Sequence, residues 1–253
     1  MDNVGILWYS NITSASCHDG NTILSYYIYN TIGVGFYILC GMEGIMTIWQ
    51  DYISAYRSIL PMKIEGLWAS WEGKGTHLNA ITHSHPHFLK SRQVEITDGK
   101  SVDIFNCIAY PKTGSNLPCI GMDLMAFSEK KVIVVFDFQH PKENYPYRVE
   151  GLPVATEDYR FFEKGNHFSD NIFVRYCKME EVNVYLSTFK EYLTKYVDMV
   201  EYEKPTGTDT SVYKDFDAYM TRLDPVSGFL KGKFGQEKAE SLVNDFLLSL
   251  IHI

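Results

Sequence analysis

Hydrophobic positions change period twice along this 253-residue chain, and the two changes divide its regular part into helix, sheet and helix. Trp49, Tyr52, Ile53, Tyr56, Ile59 and Leu60 recur at helical spacing, which predicts an opening amphipathic helix. Short alternating or apolar runs then follow at residues 64–71, 77–82, 93–97, 101–111, 117–127, 131–140 and 171–177, and each reads as a strand. Beyond them Val182, Tyr185, Leu186, Phe189, Leu193, Tyr196 and Val200 restore the helical period, with further helical patterns over 212–223 and 236–251. Strands in the middle with helices before and after predict an α+β fold: a meandering, mostly antiparallel central sheet covered by helices on both faces.

The first 45 residues read differently. Residues 23–40 form an uncharged, largely apolar run interrupted by Asn30, Gly33 and Gly35, and no Lys or Arg precedes Arg57. A secretory leader and a positive-inside membrane anchor both need such cations. Residues 1–45 are therefore expected to be an extension without fixed structure or the result of a start codon placed too early, with Met42 or Met46 as the better start. Residues 46–253 form the expected folded domain.

Two of the strand runs carry polar residues that a core does not need. Lys112-Thr113-Gly114-Ser115-Asn116 is turn chemistry, so residues 101–111 and 117–127 should pair as an antiparallel hairpin. A turn centred near Gly114 sets Asn106 across from Asp123 to within one residue. Alternation puts Cys119, Gly121 and Met125 on the Asp123 face, and Gly121 is expected to leave room for a ligand against the sheet. The next run, Lys-Val-Ile-Val-Val-Phe-Asp-Phe-Gln-His, pairs across Ser128-Glu129-Lys130 and brings Asp137 and Gln139 to the same face. Asp137 is thus a second carboxylate candidate. A third, Asp224, stands before Pro225, where an ordinary helix start accounts for the pair equally well.

Composition narrows the chemistry. A formal charge of −8 with no basic stripe argues against nucleic acid as the main partner. The 18 Tyr and 15 Phe can fill a core and still line a pocket for a large flat ligand. Five cysteines, at 17, 40, 107, 119 and 177, lack zinc spacing, and the odd count suits a reducing compartment. His83, His85 and His87 flank Pro86 in what reads as a loop, with no acidic or thiol ligand close in sequence, so no metal site is expected. Dinucleotide, P-loop, nucleophile-elbow and zinc-protease motifs are absent. The residues alone give a pocketed α+β protein with inward carboxylates and leave its function open.

The same residues carry a resemblance. Tyr110-Pro111-Lys112-Thr113-Gly114, Leu117-Pro118-Cys119-Ile120-Gly121-Met122-Asp123-Leu124-Met125, Phe136-Asp137-Phe138-Gln139-His140-Pro141, Arg160-Phe161-Phe162-Glu163, Gly165-Asn166-His167-Phe168-Ser169 and Leu223-Asp224-Pro225 resemble the ferredoxin-dependent bilin reductases, nearest their virus-borne, phycoerythrobilin-forming members. The likeness runs from Thr47 to about Leu248, some four-fifths of the chain, and does not reach the first 45 residues.

The resemblance implies a three-layer α/β/α sandwich with biliverdin IXα between the sheet and the C-terminal helices. It implies electrons delivered singly by a reduced plant-type [2Fe-2S] ferredoxin, no cofactor bound in the enzyme, and substrate radicals to which the protein supplies protons. On that footing Asp123 is the central proton donor, Asp224 a second donor, and Arg160 a propionate ligand. Asp137 and Gln139 complete the substrate-binding set. Asn106 stands where phycocyanobilin-forming members carry a histidine, which favours phycoerythrobilin, made through 15,16-dihydrobiliverdin, over vinyl reduction. A reductase that stops at 15,16-dihydrobiliverdin and a bilin carrier without turnover are the alternatives, and retention of both Asp123 and Asp224 counts against the carrier. The expected state is a monomer in the cytoplasm, that of the host cell if the gene is viral. Lys90, Arg92, Lys130, Lys131 and Lys178 are the candidate cations for docking ferredoxin.

Overall fold

Helix α1 (Gln50–Ile59) starts where Asp103 holds the incoming chain. The Asp103 carboxylate accepts from Thr47 Oγ1 at 2.7 Å and from the Ile48 amide at 2.9 Å, and its carbonyl accepts from the Trp49 indole at 2.9 Å. These bonds fix the residues just ahead of the helix, whose N-cap, Trp49, makes no side-chain capping bond of its own. The computed structural model describes residues 12–16, 22–26, 29–30, 33–34, 47–60, 62–156, 166–223 and 226–247. Contacts divide the chain into two units, Met1–Met46 and Thr47–Ile253. In the first, β1 (Ile12–Ser16) pairs antiparallel with β2 (Thr22–Tyr26), and β3 (Tyr29–Asn30) with β4 (Gly33–Val34).

The second unit is built on seven strands: β5 (Lys63–Gly73), β6 (Thr76–Ser84), β7 (Phe88–Thr97), β8 (Asp103–Pro111), β9 (Cys119–Ser128), β10 (Lys131–Gln139) and β11 (Phe173–Cys177). Their order across the sheet is their order in sequence, and every pairing is antiparallel. Short connections close the neighbouring pairs from β5 to β10, as antiparallel hairpins allow, whereas residues 140–172 separate β10 from β11.

Period-2 alternation gives each face its own helical layer. On one face Phe105, Cys107, Met122, Leu124, Val134, Phe136 and Phe138 pack against α1 and α2 (Leu186–Glu203). Aromatic rings dominate there: Phe136 stacks on Phe173 at 5.3 Å, Phe138 on Tyr192 at 5.4 Å, and Tyr52 meets Phe189 edge-on at 4.9 Å. Two buried tyrosines give their hydroxyls to backbone carbonyls, Tyr52 to Val182 at 2.5 Å and Tyr196 to Pro118 at 3.0 Å, so neither donor is orphaned by burial.

On the other face lie α3 (Lys214–Leu223), α4 (Val226–Phe234), α5 (Gln236–Ser241) and a π-helical turn over Leu242–Leu247. Leu78, Val94, Ile96 and Ile104 meet Leu230, Leu242 and Phe246, and Ile108, Tyr110 and Cys119 meet Tyr213 and Phe216. The result is the α/β/α sandwich that the periodicity and the resemblance predicted. The pattern over 236–251 reads as one helix, but α5 passes into the π-helical turn at Leu242.

Candidate functional site

The site grows from the β8–β9 register. Ala109 pairs with Ile120 and Asp103 with Ala126, so Asn106 falls directly opposite Asp123. The loop between the strands turns at Gly114, whose φ is +97°, and is held from outside by Thr113 and Gly207, which exchange backbone hydrogen bonds at 2.9 and 2.8 Å. Asn106 Nδ2 donates to Asp123 Oδ1. Both residues are half-buried, as are Met125 and Ile133 beside them, so the pair looks out from an otherwise closed part of the sheet face.

Behind Asn106 stands Arg92. It pairs in register with Ile108, one step diagonal from Asn106, and its side chain is 3% exposed. Arg92 Nη1 donates to Asn106 Oδ1, and Nε donates to the Leu247 carbonyl at 2.9 Å. A chain of donors thus runs from guanidinium to amide to carboxylate. Burial raises the Asp123 pKa; the Asn106 hydrogen bond and the Arg92 charge oppose that shift without cancelling it. A carboxylic acid held this way keeps its proton at higher pH than one in water.

Helix α3 brings a further carboxylate that the sequence reading passed over. Asp217 Oδ1 accepts from the Tyr110 hydroxyl at 3.1 Å. Burial lifts its pKa to about 7, against the Tyr110 hydrogen bond and the charges of Lys90 and Arg92. The same burial, with repulsion from Arg92, lowers Lys90 to about 7. The signal was present in the sequence: Asp217 lies in the stripe of Tyr213, Phe216 and Met220 that packs on the sheet, a polar residue where helical period demands an apolar one.

Asp137 and Gln139 reach the Asp123 face as alternation predicted, opposite Gly121 and Cys119, but both are buried. The Asp137 oxygens accept from Ser169, through its hydroxyl at 2.6 Å and its amide at 3.3 Å, which ties the segment after residue 166 to β10. Burial pushes the Asp137 pKa well above the carboxylate range. The room expected at Gly121 belongs to Gln139, whose amide atoms would lie 2.7–2.9 Å from a Cβ placed there.

Arg160 and Asp224 lie outside the described residues, the latter between the end of α3 at Leu223 and the start of α4 at Val226. Of the cations considered for docking, Lys90 and Arg92 turn toward the C-terminal helices, whereas Lys130, Lys131 and Lys178 stay exposed where β10 and β11 meet.

His83 donates to or accepts from Gln93 at 3.0 Å inside the fold, while His85 stacks on Phe88 and His87 reaches the Pro205 carbonyl. Among the described residues no group of His, Cys, Asp and Glu converges on a metal-sized point, and no helix is long and apolar enough to cross a membrane. A cleft of about 270 Å³ opens between residues 153–156 and β11, two strands away from Asp123, and shares none of the residues just described.

Sheet and helical cover thus form an α/β/α sandwich that sets a half-buried carboxyl with a raised pKa, hydrogen-bonded by an amide, on one sheet face. Residues 42–249 match the sequence model of the ferredoxin-dependent bilin reductases, and the chain belongs to that family. Its chemistry is accordingly ferredoxin-dependent reduction of a bilin. Among its relatives, the 15,16-dihydrobiliverdin:ferredoxin oxidoreductase of Gloeobacter violaceus is 29% identical over 193 residues, covering 69% of this chain and 79% of that protein. The protein of the same name from Nostoc punctiforme is 27% identical over 177 residues, covering 62% of this chain and 72% of that one. Phytochromobilin synthase from tomato, solved in complex with biliverdin, superimposes with a TM-score of 0.63 over 81% of this chain and 84% of that one; at 14% identity this is a likeness of fold.

Proposed function

We propose that this enzyme reduces biliverdin IXα with electrons from a plant-type [2Fe-2S] ferredoxin, first at the C15=C16 bridge to give 15,16-dihydrobiliverdin and then in the A-ring diene to give phycoerythrobilin. Each step consumes two electrons and two protons and converts unsaturated carbons into C–H centres. The tetrapyrrole is the redox-active group, so the protein's part is to bind it and hold protons at fixed points. The observation that carries the reading is the Asn106–Asp123 pair: a carboxyl with a raised pKa, half-open on the sheet face and hydrogen-bonded by an amide. Asp123 is the central proton donor to the reduced bilin and is reprotonated from solvent.

In this reading Asp224 is the second donor and Arg160 binds a propionate. Asp137 and Gln139 complete the substrate-binding set, Asp137 held by Ser169 and Gln139 packed against Gly121. Asn106, unlike a histidine, has no titratable proton to transfer near neutral pH, which supports the phycoerythrobilin branch. Residues 46–253 form the catalytic domain.

A second reading has a specific observation behind it. The relatives from Gloeobacter and Nostoc are named for 15,16-dihydrobiliverdin, which favours a reductase that stops after one step. An anaerobic assay of the full chain with biliverdin IXα and reduced ferredoxin, followed by absorbance and chromatography, separates the two. Phycoerythrobilin appearing through a transient dihydrobiliverdin supports the four-electron reading. Dihydrobiliverdin as the end product supports the second, and bound biliverdin without turnover removes both.

A further inference from the structure

We propose that Arg92 is a positioning residue for the proposed reaction: by fixing which way the Asn106 amide faces, it dictates which oxygen of Asp123 carries the catalytic proton. The inference rests on the bilin-reducing role of Asp123 and adds a residue to it. A guanidinium can only donate, so the Asn106 atom that meets Arg92 Nη1 must be the carbonyl oxygen. The amide nitrogen is then forced to the opposite side, where it donates to Asp123 Oδ1. An acid proton on Oδ1 would point at an N–H. The proton of Asp123 therefore resides on Oδ2, away from Asn106.

Arg92 can impose this because it is itself fixed. Its Nε is held by the Leu247 carbonyl at 2.9 Å, and its fork is planar and rigid, so the direction of Nη1 follows from the position of the last described helical turn. A lysine at the same place keeps the charge and loses the two-point geometry. Among the described residues the other titratable groups around the cluster are Tyr56 on α1, Lys90 on β7, Cys107 and Tyr110 on β8 and Asp217 on α3. The Arg92 charge opposes the raised pKa of Asp123, Asp217, Tyr110 and Cys107 alike.

The test begins with the ligand-free full-length protein carrying ¹³C-labelled aspartate, with the Asp123 resonance identified by its loss in Asp123→Asn. Arg92→Gln is expected to move the Asp123 titration midpoint upward, because a cation that favoured the carboxylate is gone, and Arg92→Lys to leave it near wild type. Both variants are expected to slow the first reduction of biliverdin on the order of tenfold, the effect of one charge-assisted hydrogen bond, with biliverdin affinity retained. In an Asn106→Ala background Arg92→Lys should cost nothing more. An unmoved midpoint in Arg92→Gln, or losses from Arg92→Lys and Asn106→Ala that simply add, would overturn the proposal. If Arg92→Gln fails to fold by circular dichroism, the Arg92→Lys and Asn106→Ala cycle decides alone. If wild-type protein does not reduce biliverdin, the functional reading fails, and the titration still decides whether Arg92 governs Asp123.

Discussion

Asn106 and Asp123 face each other across the β8–β9 ladder, and the amide of one donates to the carboxylate of the other. The hydrogen bond lowers the Asp123 pKa while burial raises it further, so the acid is held between two opposing influences. Asp123→Asn preserves the shape and removes the transferable proton. The first reduction should slow by about 10² or more, the usual contribution of a positioned acid, while biliverdin still binds. Stopped-flow absorbance under anaerobic conditions measures both, and a wild-type rate would take Asp123 out of the mechanism.

Asp217 offers a pH test. Its folded pKa of about 7 lies above its ordinary 3.8, so the protonated form is the one the fold favours. That contribution to stability is complete below about 4 and is lost as pH rises through about 7. His83, lowered to about 4 chiefly by burial, works the other way, contributing above its ordinary 6.5 and losing that contribution as pH falls through about 4. Because the two oppose each other, the readout is a difference. Asp217→Asn should gain melting temperature relative to wild type as pH rises from 4 to 7, measured by calorimetry across that range, and a constant difference would contradict the assignment.

Gly121→Ala tests how the floor of the site is filled. The new methyl would meet the Gln139 amide at 2.7–2.9 Å, and Gln139 is only 7% exposed, with little space to retreat into. Overpacking of this kind costs about 1–3 kcal/mol, readable from urea denaturation. A neutral outcome would mean that Gln139 rotates freely and that the face near Asp123 is roomier than the packing shows.

Phe136 is the hinge pin of the opposite face. It is fully buried and touches the rings of Phe173, Phe189 and Tyr192 at 5.2–5.8 Å between centroids. Phe136→Ala should cost about 3–5 kcal/mol of stability, and a loss under 1 kcal/mol by denaturant titration would show that α2 collapses into the gap.

Local period settled much of this protein. Alternation along β8, β9 and β10 and the turn at Gly114 were enough to predict the hairpin and to set Asn106 opposite Asp123 within one residue; helical spacing gave α1 and α2. Such patterns are legible because side-chain direction repeats every 2 residues in a strand and every 3.6 in a helix, with no knowledge of what lies beyond the element. Tertiary structure decided the rest. It took Arg92 from a supposed docking surface into the site, with its partner Leu247 lying 155 residues along the chain, and it set Asp217 beside Tyr110 and closed the space at Gly121 with Gln139. Those outcomes depend on which helix covers which sheet face, and no periodicity within one segment carries that information.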